Sequence, residues 1–319
     1  MNATVVSATG GPEVLEYTEV PEPSPAPGEV VVDLAAAGVN FIDVYHRKGR
    51  YPLTVPFVLG SEGAGTVSAV GADVTEFAVG DKVAWANVLG SYAEKVVVPA
   101  TQLLPVPDGV DLHTAAAAPL QGMTAHYLTH SVHKVEPGQD VLVHAAAGGM
   151  GLLLVQVCKM LGARVIGTVS TEEKEKLARQ AGADEVLRYE GFAEAVLELT
   201  GAGVHVVYDG VGATTFAGSL QALRTRGMMA LYGAASGPVP PVDPMALHDA
   251  GSLFLTRPTL RHYTATREEL LWRAGDVFGW IASGKLSIVV SERYPLAEAR
   301  RAHEDLEARR TTGKLLLVP

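Results

Sequence analysis

The sequence predicts an α/β chain in which a parallel sheet with crossover helices is inserted into a β-rich part. Three observations carry this. The first ~120 residues read as short apolar strands broken by turn signals. After Pro119 the texture changes, and from Gln139 onward apolar strands alternate with helical patterns, the mark of a parallel sheet. The tail then returns to mixed structure. The 319 residues also exceed the ~250–300 at which a single core stops growing, which points to about two domains.

Taken in order, Val30-Val31-Val32 and Val96-Val97-Val98 are strand runs, and Gly10-Gly11, Gly71-Ala72-Asp73 and Gly80-Asp81 are turn signals. The stretch Pro21 to Gly28 carries four prolines and reads as a segment wrapping one strand round to the next. Val141-Leu142-Val143 leads to a helix over 150–161, and a strand over 164–169 leads to a helix over 171–181. Residues 185–187, 205–208 and 228–232 are further strands, and Gly237 to Pro244 is a proline-rich break. A helix over 267–282 stops at Gly284, whose lack of a Cβ suits a left-handed end. A strand at 288–290, a helix from Leu296 and a strand over 314–318 complete the chain.

Composition narrows the function classes. Hydrophobic residues make up 48% and charged residues 19%, a balance for packed cores rather than disorder. A net charge of -10 without a lysine and arginine run argues against nucleic acid as the main partner, because backbone binding needs clustered cations. The N-terminus has no basic region followed by an apolar stretch, and no segment reaches the ~18 apolar residues of a membrane span. The expectation is a cytoplasmic protein. One cysteine, Cys158, excludes an intrachain disulfide and any multi-cysteine metal cage.

The strand Val141-Leu142-Val143 runs into His144-Ala145-Ala146-Ala147-Gly148-Gly149-Met150-Gly151 and then into a helix. Dinucleotide folds place G-x-G-x-x-G here, because the backbone must turn sharply, approach a pyrophosphate and pack its helix on the sheet. Ala146 takes the first glycine place, with Gly148 and Gly151 at the second and third. The amides from Ala147 to Gly151 and the positive helix end suit phosphate. The next strand ends Thr168-Val169-Ser170-Thr171, without the acid that holds ribose hydroxyls in an NAD site. Ser170 and Lys174 favour a 2′-phosphate, and hence NADPH. Ser170 also reads as a helix cap, with Glu173 completing a capping box, while Glu172 and Glu173 add negative charge nearby.

With Gly138-Gln139, Leu142, Ala146-Ala147-Gly148-Gly149, Gly151, Gln156 and Lys159, the chain resembles the quinone oxidoreductases (the zeta-crystallin branch of the medium-chain dehydrogenase/reductases). Gly60-Ser61-Glu62, followed by Gly65 and Gly71, is similar to the alcohol dehydrogenase G-H-E segment with Ser61 replacing histidine, and Thr312-Gly313-Lys314 also fits. The resemblance implies a GroES-like catalytic domain from residues 1–121 and 262–319, with a Rossmann NADPH-binding domain over 122–261. It implies NADPH contacts from Asn40, Tyr45, Thr124, Ser170, Lys174, Tyr189 and Arg309, to which the strand end at Tyr232 and Gly233 is added. It also implies a homodimer, paired through Gly251-Ser252-Leu253-Phe254-Leu255.

Zinc relatives place a cysteine near Asn40, a histidine at Ser61 and a second cysteine near the cofactor turn, and this chain has none of them. His126, His130 and His133 have near-helical spacing and read as a solvated helix face, so no metal is expected. Without a Lewis acid, the substrate should already be electrophilic: a quinone, or alternatively a conjugated alkenal, enone or enoyl compound. The nicotinamide is expected beside Asn40 and Tyr45, the two candidate catalytic residues. Tyr45 is either a hydrogen-bond donor to the substrate oxygen or only a shaper of the pocket. A non-enzymatic NADPH-binding or RNA-binding role is the alternative of another class.

Overall fold

The computed structural model describes residues 1–319. In chain order, β1 (Asn2–Val6), β2 (Leu15–Glu19) and β3 (Glu29–Val39) precede α1 (Phe41–Arg47). Then come β4 (Phe57–Val58), β5 (Glu62–Val70), β6 (Lys82–Ala86), β7 (Lys95–Pro99) and β8 (Leu104–Pro105). Helices α2 (Leu112–Ala117) and α3 (Pro119–Tyr127) follow, the latter widening into a π-helical turn, Leu128–Val132. The parallel part alternates β9 (Asp140–Val143), α4 (Gly149–Met160), β10 (Arg164–Thr168), α5 (Glu172–Gln180), β11 (Glu185–Leu187) and α6 (Phe192–Thr200). It continues with β12 (Val204–Asp209), α7 (Phe216–Gln221), β13 (Leu223–Leu231), α8 (Pro244–Asp249), β14 (Phe254–Thr256) and α9 (Leu260–Tyr263). The tail is α10 (Arg267–Ala282), β15 (Val290–Pro295), α11 (Ala299–Glu307) and β16 (Lys314–Val318).

The chain divides into two compact units. Unit 1 is Met1–Met123 with Thr264–Pro319, and unit 2 is Thr124–Tyr263. Unit 1 holds a seven-stranded sheet in the order β15-β16-β3-β5-β6-β8, with β7 also on β3, and a three-stranded sheet β2-β1-β4. Strand β3 is its spine, pairing antiparallel with β5, β7 and β16. The alternating valines Val30 and Val32, with Val67, Trp85, Val96 and Leu317, fill the core beneath it. The register against β5 shifts after Val31 and after Leu34, and such bulges bend a strand. The spine ends at Asn40, which caps α1.

Unit 2 is a six-stranded parallel sheet in the order β11-β10-β9-β12-β13-β14. The order reverses at β9, as in the doubly wound dinucleotide fold, and the carboxyl ends beside that reversal are where such sheets bind ligands. Helices cover both faces, so Val141, Leu142 and Val143 are all fully buried and the strands read as continuous apolar runs.

The structure moves three expected elements. The strand expected at 288–290 begins only at Val290 and runs to Pro295, because Val290 is the first residue that registers with Lys314 of β16. Its Glu292 and Arg293 are exposed at the sheet edge, where charge deters further pairing. The helix from Leu296 begins as a 3-10 turn, Leu296–Glu298, before α11. The three histidines do not lie on a solvated face. His126 is fully buried among Met123, Ala125, Tyr127 and Leu128, and the ring of His130 stacks on it at 4.3 Å. His133 leaves the π-helical turn to meet Gln139, Nε2 to Oε1 at 2.9 Å.

Candidate active site

In unit 2 the glycine turn is built by its neighbours. The amide of His144 donates to the Tyr208 carbonyl at 3.1 Å, and that of Ala146 to the Thr168 carbonyl at 3.0 Å. The chain then reverses through Ala145, which adopts a left-handed φ of 51°, and the Gly148 amide closes the turn on the Ala145 carbonyl at 2.8 Å. A Cβ on Gly151 would lie 2.2 Å from that carbonyl oxygen, so only glycine lets α4 start this close to the turn. The alanine in the first glycine place is accommodated from below: a Cβ on Gly167 of β10 would meet the Ala146 methyl at 2.8 Å.

The strand ends around the turn carry most of the expected cofactor residues. Ala147 is buried, while Gly148, Gly149 and Met150 are half-buried on the open side of the turn. Ser170 lies exposed just past β10, and half-buried Lys174 lies in the first turn of α5. The cap of α5 is Thr171, which accepts from the Lys174 amide at 3.3 Å. This corrects the reading of Ser170 as the cap: the Val169 amide still pairs with the Leu187 carbonyl just past β10, so the cap falls one residue later, on Thr171. Glu173 turns back onto its own amide and Thr171, which lowers its carboxyl pKa. Tyr189 follows β11, its ring 6.2 Å from that of His144. Tyr232 and Gly233 follow directly on β13, and Arg257 donates to the Tyr232 carbonyl at 2.8 Å. Thr124 is buried in α3.

Beneath the turn lies a buried polar cluster that the sequence did not disclose. His144 bonds Thr168 Oγ1 through Nδ1 at 2.7 Å and Ser219 Oγ through Nε2 at 2.9 Å. Ser219 and Thr215 both donate to Asp209 Oδ2, at 3.1 and 2.7 Å, and Asp209 Oδ1 accepts the amides of Val211 and Gly212. The one Ser219 hydrogen is committed to an acceptor, so Ser219 accepts from His144 Nε2–H and Nδ1 accepts from Thr168. Burial, opposed by the Asp209 charge, pushes the His144 pKa down to about 4. The cluster therefore ties the ends of β9, β10 and β12 to α7 with a neutral imidazole.

In unit 1, Asn40 and Tyr45 lie at and within α1. The Asn40 side chain is 3% exposed and fully engaged. Its Nδ2 donates to Glu62 Oε2 at 2.9 Å and to the Gly38 carbonyl at 3.2 Å. Its Oδ1 accepts from Lys314 Nζ at 2.7 Å and Gln121 Nε2 at 3.4 Å. Lys314 and Glu62 form an ion pair with side chains only 2% and 0% exposed, and the Leu120 amide takes the other Glu62 oxygen. Ser61, at the place of the zinc relatives' histidine, donates to Asp43 Oδ1 at 2.7 Å. Asp43 Oδ2 takes the Asn40 amide and the Tyr92 hydroxyl. Burial outweighs these donors and raises the Asp43 pKa to about 6. Tyr92 leads on to His303, which meets Arg47, and Arg47 pairs with Glu307 of α11. Arg309 lies exposed two residues beyond Glu307 with a left-handed φ of 56°.

Of these residues, Asp43, Glu62, Thr168 and Lys314 were visible only as parts of motifs, and Tyr92, His303, Asp209 and Ser219 carried no signal. No three His, Cys, Asp or Glu side chains lie close enough together to hold a metal ion. The turn amides, Ser170 and Lys174 form a donor set suited to NADPH, with phosphate-binding groups and no carboxylate at the strand tip.

Comparison with known proteins agrees with this geometry. Residues 26–108 match the alcohol dehydrogenase GroES-like domain family, and residues 149–272 match the zinc-binding dehydrogenase family. A quinone oxidoreductase of Pseudomonas aeruginosa is 49% identical over 318 residues, covering 98% of both chains. A 2-haloacrylate reductase of a Burkholderia species is 45% identical, covering 99% of this chain and 98% of its own. A mycobacterial protein solved with NADPH superimposes with a TM-score of 0.98 at 54% identity, over 100% of both chains. The Escherichia coli quinone oxidoreductase, also solved with NADPH, superimposes with a TM-score of 0.98 at 42% identity, again over 100% of both. The chain belongs to the quinone oxidoreductase family of the medium-chain dehydrogenase/reductase superfamily.

Proposed function

We propose that this protein is an NADPH-dependent oxidoreductase that reduces quinones without a protein-bound metal. The observation that carries the reading is the acid-free tip of β10, where Ser170 and Lys174 stand beside the turn of Ala147, Gly148, Gly149, Met150 and Gly151. NADPH, when bound, supplies the hydride. The turn amides and the start of α4 hold its pyrophosphate, Ser170 and Lys174 hold the 2′-phosphate, and Tyr189, Tyr232 and Gly233 flank it on the neighbouring strands. Thr124 and Arg309 complete the proposed contacts.

Asn40 acts in this reading by position. Its amide is consumed by Glu62, Lys314, Gly38 and Gln121, so it fixes the start of α1 and leaves Tyr45 as the side chain facing ligand. Tyr45 shapes the pocket. A phenol with a pKa near ~10 is a reluctant acid, and water serves as the source of the proton that ends on the reduced oxygen.

Loss of the reduced-nicotinamide absorbance with a panel of 1,2- and 1,4-quinones, NADPH and NADH in parallel, tests the reading. Quinone turnover with NADPH alone is expected. The Burkholderia relative motivates a second reading, saturation of a conjugated carbon–carbon double bond, and turnover of an alkenal with none of a quinone would establish that instead. None of the protein's helices is long and apolar enough to cross a membrane, and a cytoplasmic location is part of the proposal. We also propose a homodimer. β14 closes one edge of its sheet with only β13 beside it, and Phe254 on that edge is 57% exposed, an apolar edge that a second copy would cover. Sedimentation at micromolar concentration giving a monomer would dismiss it.

A further inference from the structure

The loop after α1 builds a corner of unit 1 around Tyr45, and the scheme above leaves its other side chains, Arg50, Tyr51 and His46, unused. The amides of Arg50 and Tyr51 both donate to the Tyr45 carbonyl, at 2.9 and 3.4 Å, so the loop folds back over the last turn of the helix. This lays the Arg50 guanidinium over the Tyr45 ring, 4.8 Å from Cζ to centroid. Tyr51 stands edge-on to the same ring at 5.6 Å and 86°, and Phe41, one turn earlier, is tilted against it at 6.3 Å. Tyr51 is 41% exposed, a large ring left open beside an exposed guanidinium.

His46 closes the corner, its ring edge-on to Tyr51 at 6.1 Å. Its Nδ1 is enclosed without a hydrogen-bond partner, and an enclosed N–H is rarer and more costly than an enclosed lone pair. The ring proton therefore sits on Nε2, at the open end of a half-buried side chain. Burial holds the imidazole below its ordinary pKa, so it serves as a neutral donor.

Rings set edge-on, a planar cation and an N–H donor together match one ligand chemistry. Flat aromatic systems pack on tyrosine rings, and guanidinium takes a carboxylate or sulfonate through two parallel hydrogen bonds. On a chain of net charge -10, a local cation discriminates among anions that the rest of the surface repels. We propose that Tyr45, Tyr51, Arg50 and His46 form a subsite for planar aromatic quinones bearing an anionic substituent, with the anion on Arg50. The quinone in that sentence rests on the reductase reading; the aromatic anion rests on the corner alone.

Calorimetric titration of the full chain, saturated with NADP⁺, with naphthalene-2-sulfonate and with the neutral naphthalene-2-sulfonamide separates the two. Neither compound is a quinone, so the result does not depend on turnover. The sulfonate should bind roughly tenfold tighter than the sulfonamide at low salt, as a charge-assisted pair allows, and compete with the quinone substrate. Arg50→Gln should erase that preference while leaving sulfonamide affinity within about twofold, and Tyr51→Ala should weaken both ligands alike. Equal affinities, a preference that survives Arg50→Gln, no binding of either compound, or binding without competition would each overturn the subsite. Sulfonate binding by a protein that reduces no quinone would retain the subsite and sink the reductase reading.

Discussion

Lys314 carries an ammonium group into the interior of unit 1 and spends it on two partners, the Glu62 carboxylate and the Asn40 carbonyl oxygen. Removing one member of such a pair strands the other charge without water. Lys314→Met is expected to cost about 3–5 kcal/mol in chemical denaturation, and the double variant with Glu62→Gln should recover much of that loss. If the double variant is as unstable as the sum of both single ones, the two groups do not act as a pair. At the other unit, Ser170→Asp sets a carboxylate where the 2′-phosphate is proposed to rest. Its NADPH dissociation constant should rise by roughly 100-fold, about 2.7 kcal/mol, with NADH affected far less; parallel losses for both cofactors would remove Ser170 from that role. Ser170 and Lys174 could be singled out in the sequence because the fingerprint fixes how far beyond the turn to look, and their role rests on that titration. Lys314 and Glu62 were not legible as a pair, since 252 residues separate them and no local spacing brings them together.

The turn between β9 and α4 shows how an element absorbs a departure from its pattern. Ala146 keeps a methyl where the fingerprint has none, and Gly167 on the next strand leaves the space for it. Gly167→Ala should therefore press on the turn and weaken NADPH binding by roughly tenfold, and adding Ala146→Gly should restore it through coupling of the two sites. Fluorescence titration of the single and double variants decides this, and a double variant no better than Gly167→Ala would break the link. Elements with a strong period were read nearly to the residue: the helix over 267–282, whose Thr266 and Glu269 form a capping box, and the strand over 314–318. Boundaries governed by a remote partner were not. The sheet, rather than any local preference, carries pairing past β10 to Val169, which moves the helix cap to Thr171, and starts β15 at Val290.

At the scale of the molecule, each unit holds a buried histidine whose pKa is pushed far down. His144 is held at about 4 by burial, and His303 at about 3 by burial and the charges of Arg47 and Lys48. Each unfolded side chain titrates near 6.5, so both contribute stability above that pH and lose it as the pH falls toward their folded values. Asp43 works in the opposite sense: its folded pKa of about 6 gives stability at low pH that is lost as the pH rises through that value. These three groups alone leave a net loss on acidification from about pH 6.5 to 4.5, near 1.4 kcal/mol per pH unit for one proton, and His46, His133 and His205, each lowered by burial, add to it in the same direction. The melting temperature should fall across that window, and His303→Gln should flatten the slope; an unchanged slope would show that His303 does not carry it. The class of fold and the two-part layout were open to a sequence reading because strand and helix periods are local. The polar networks were closed to it because each is assembled from side chains that only the finished fold makes neighbours.

Strand β16 lies between β15 and β3 in the seven-stranded sheet, and it brings Lys314 to Asn40. During synthesis the ribosome delivers every strand of unit 2 before this one. The parallel sheet can close while the Ala37–Val39 end of the spine strand β3 waits unpaired on one side and Glu62 lacks its cation. The last strand made thus completes the sheet that β3 begins, and translation itself sets which half of the enzyme must be shielded in the meantime.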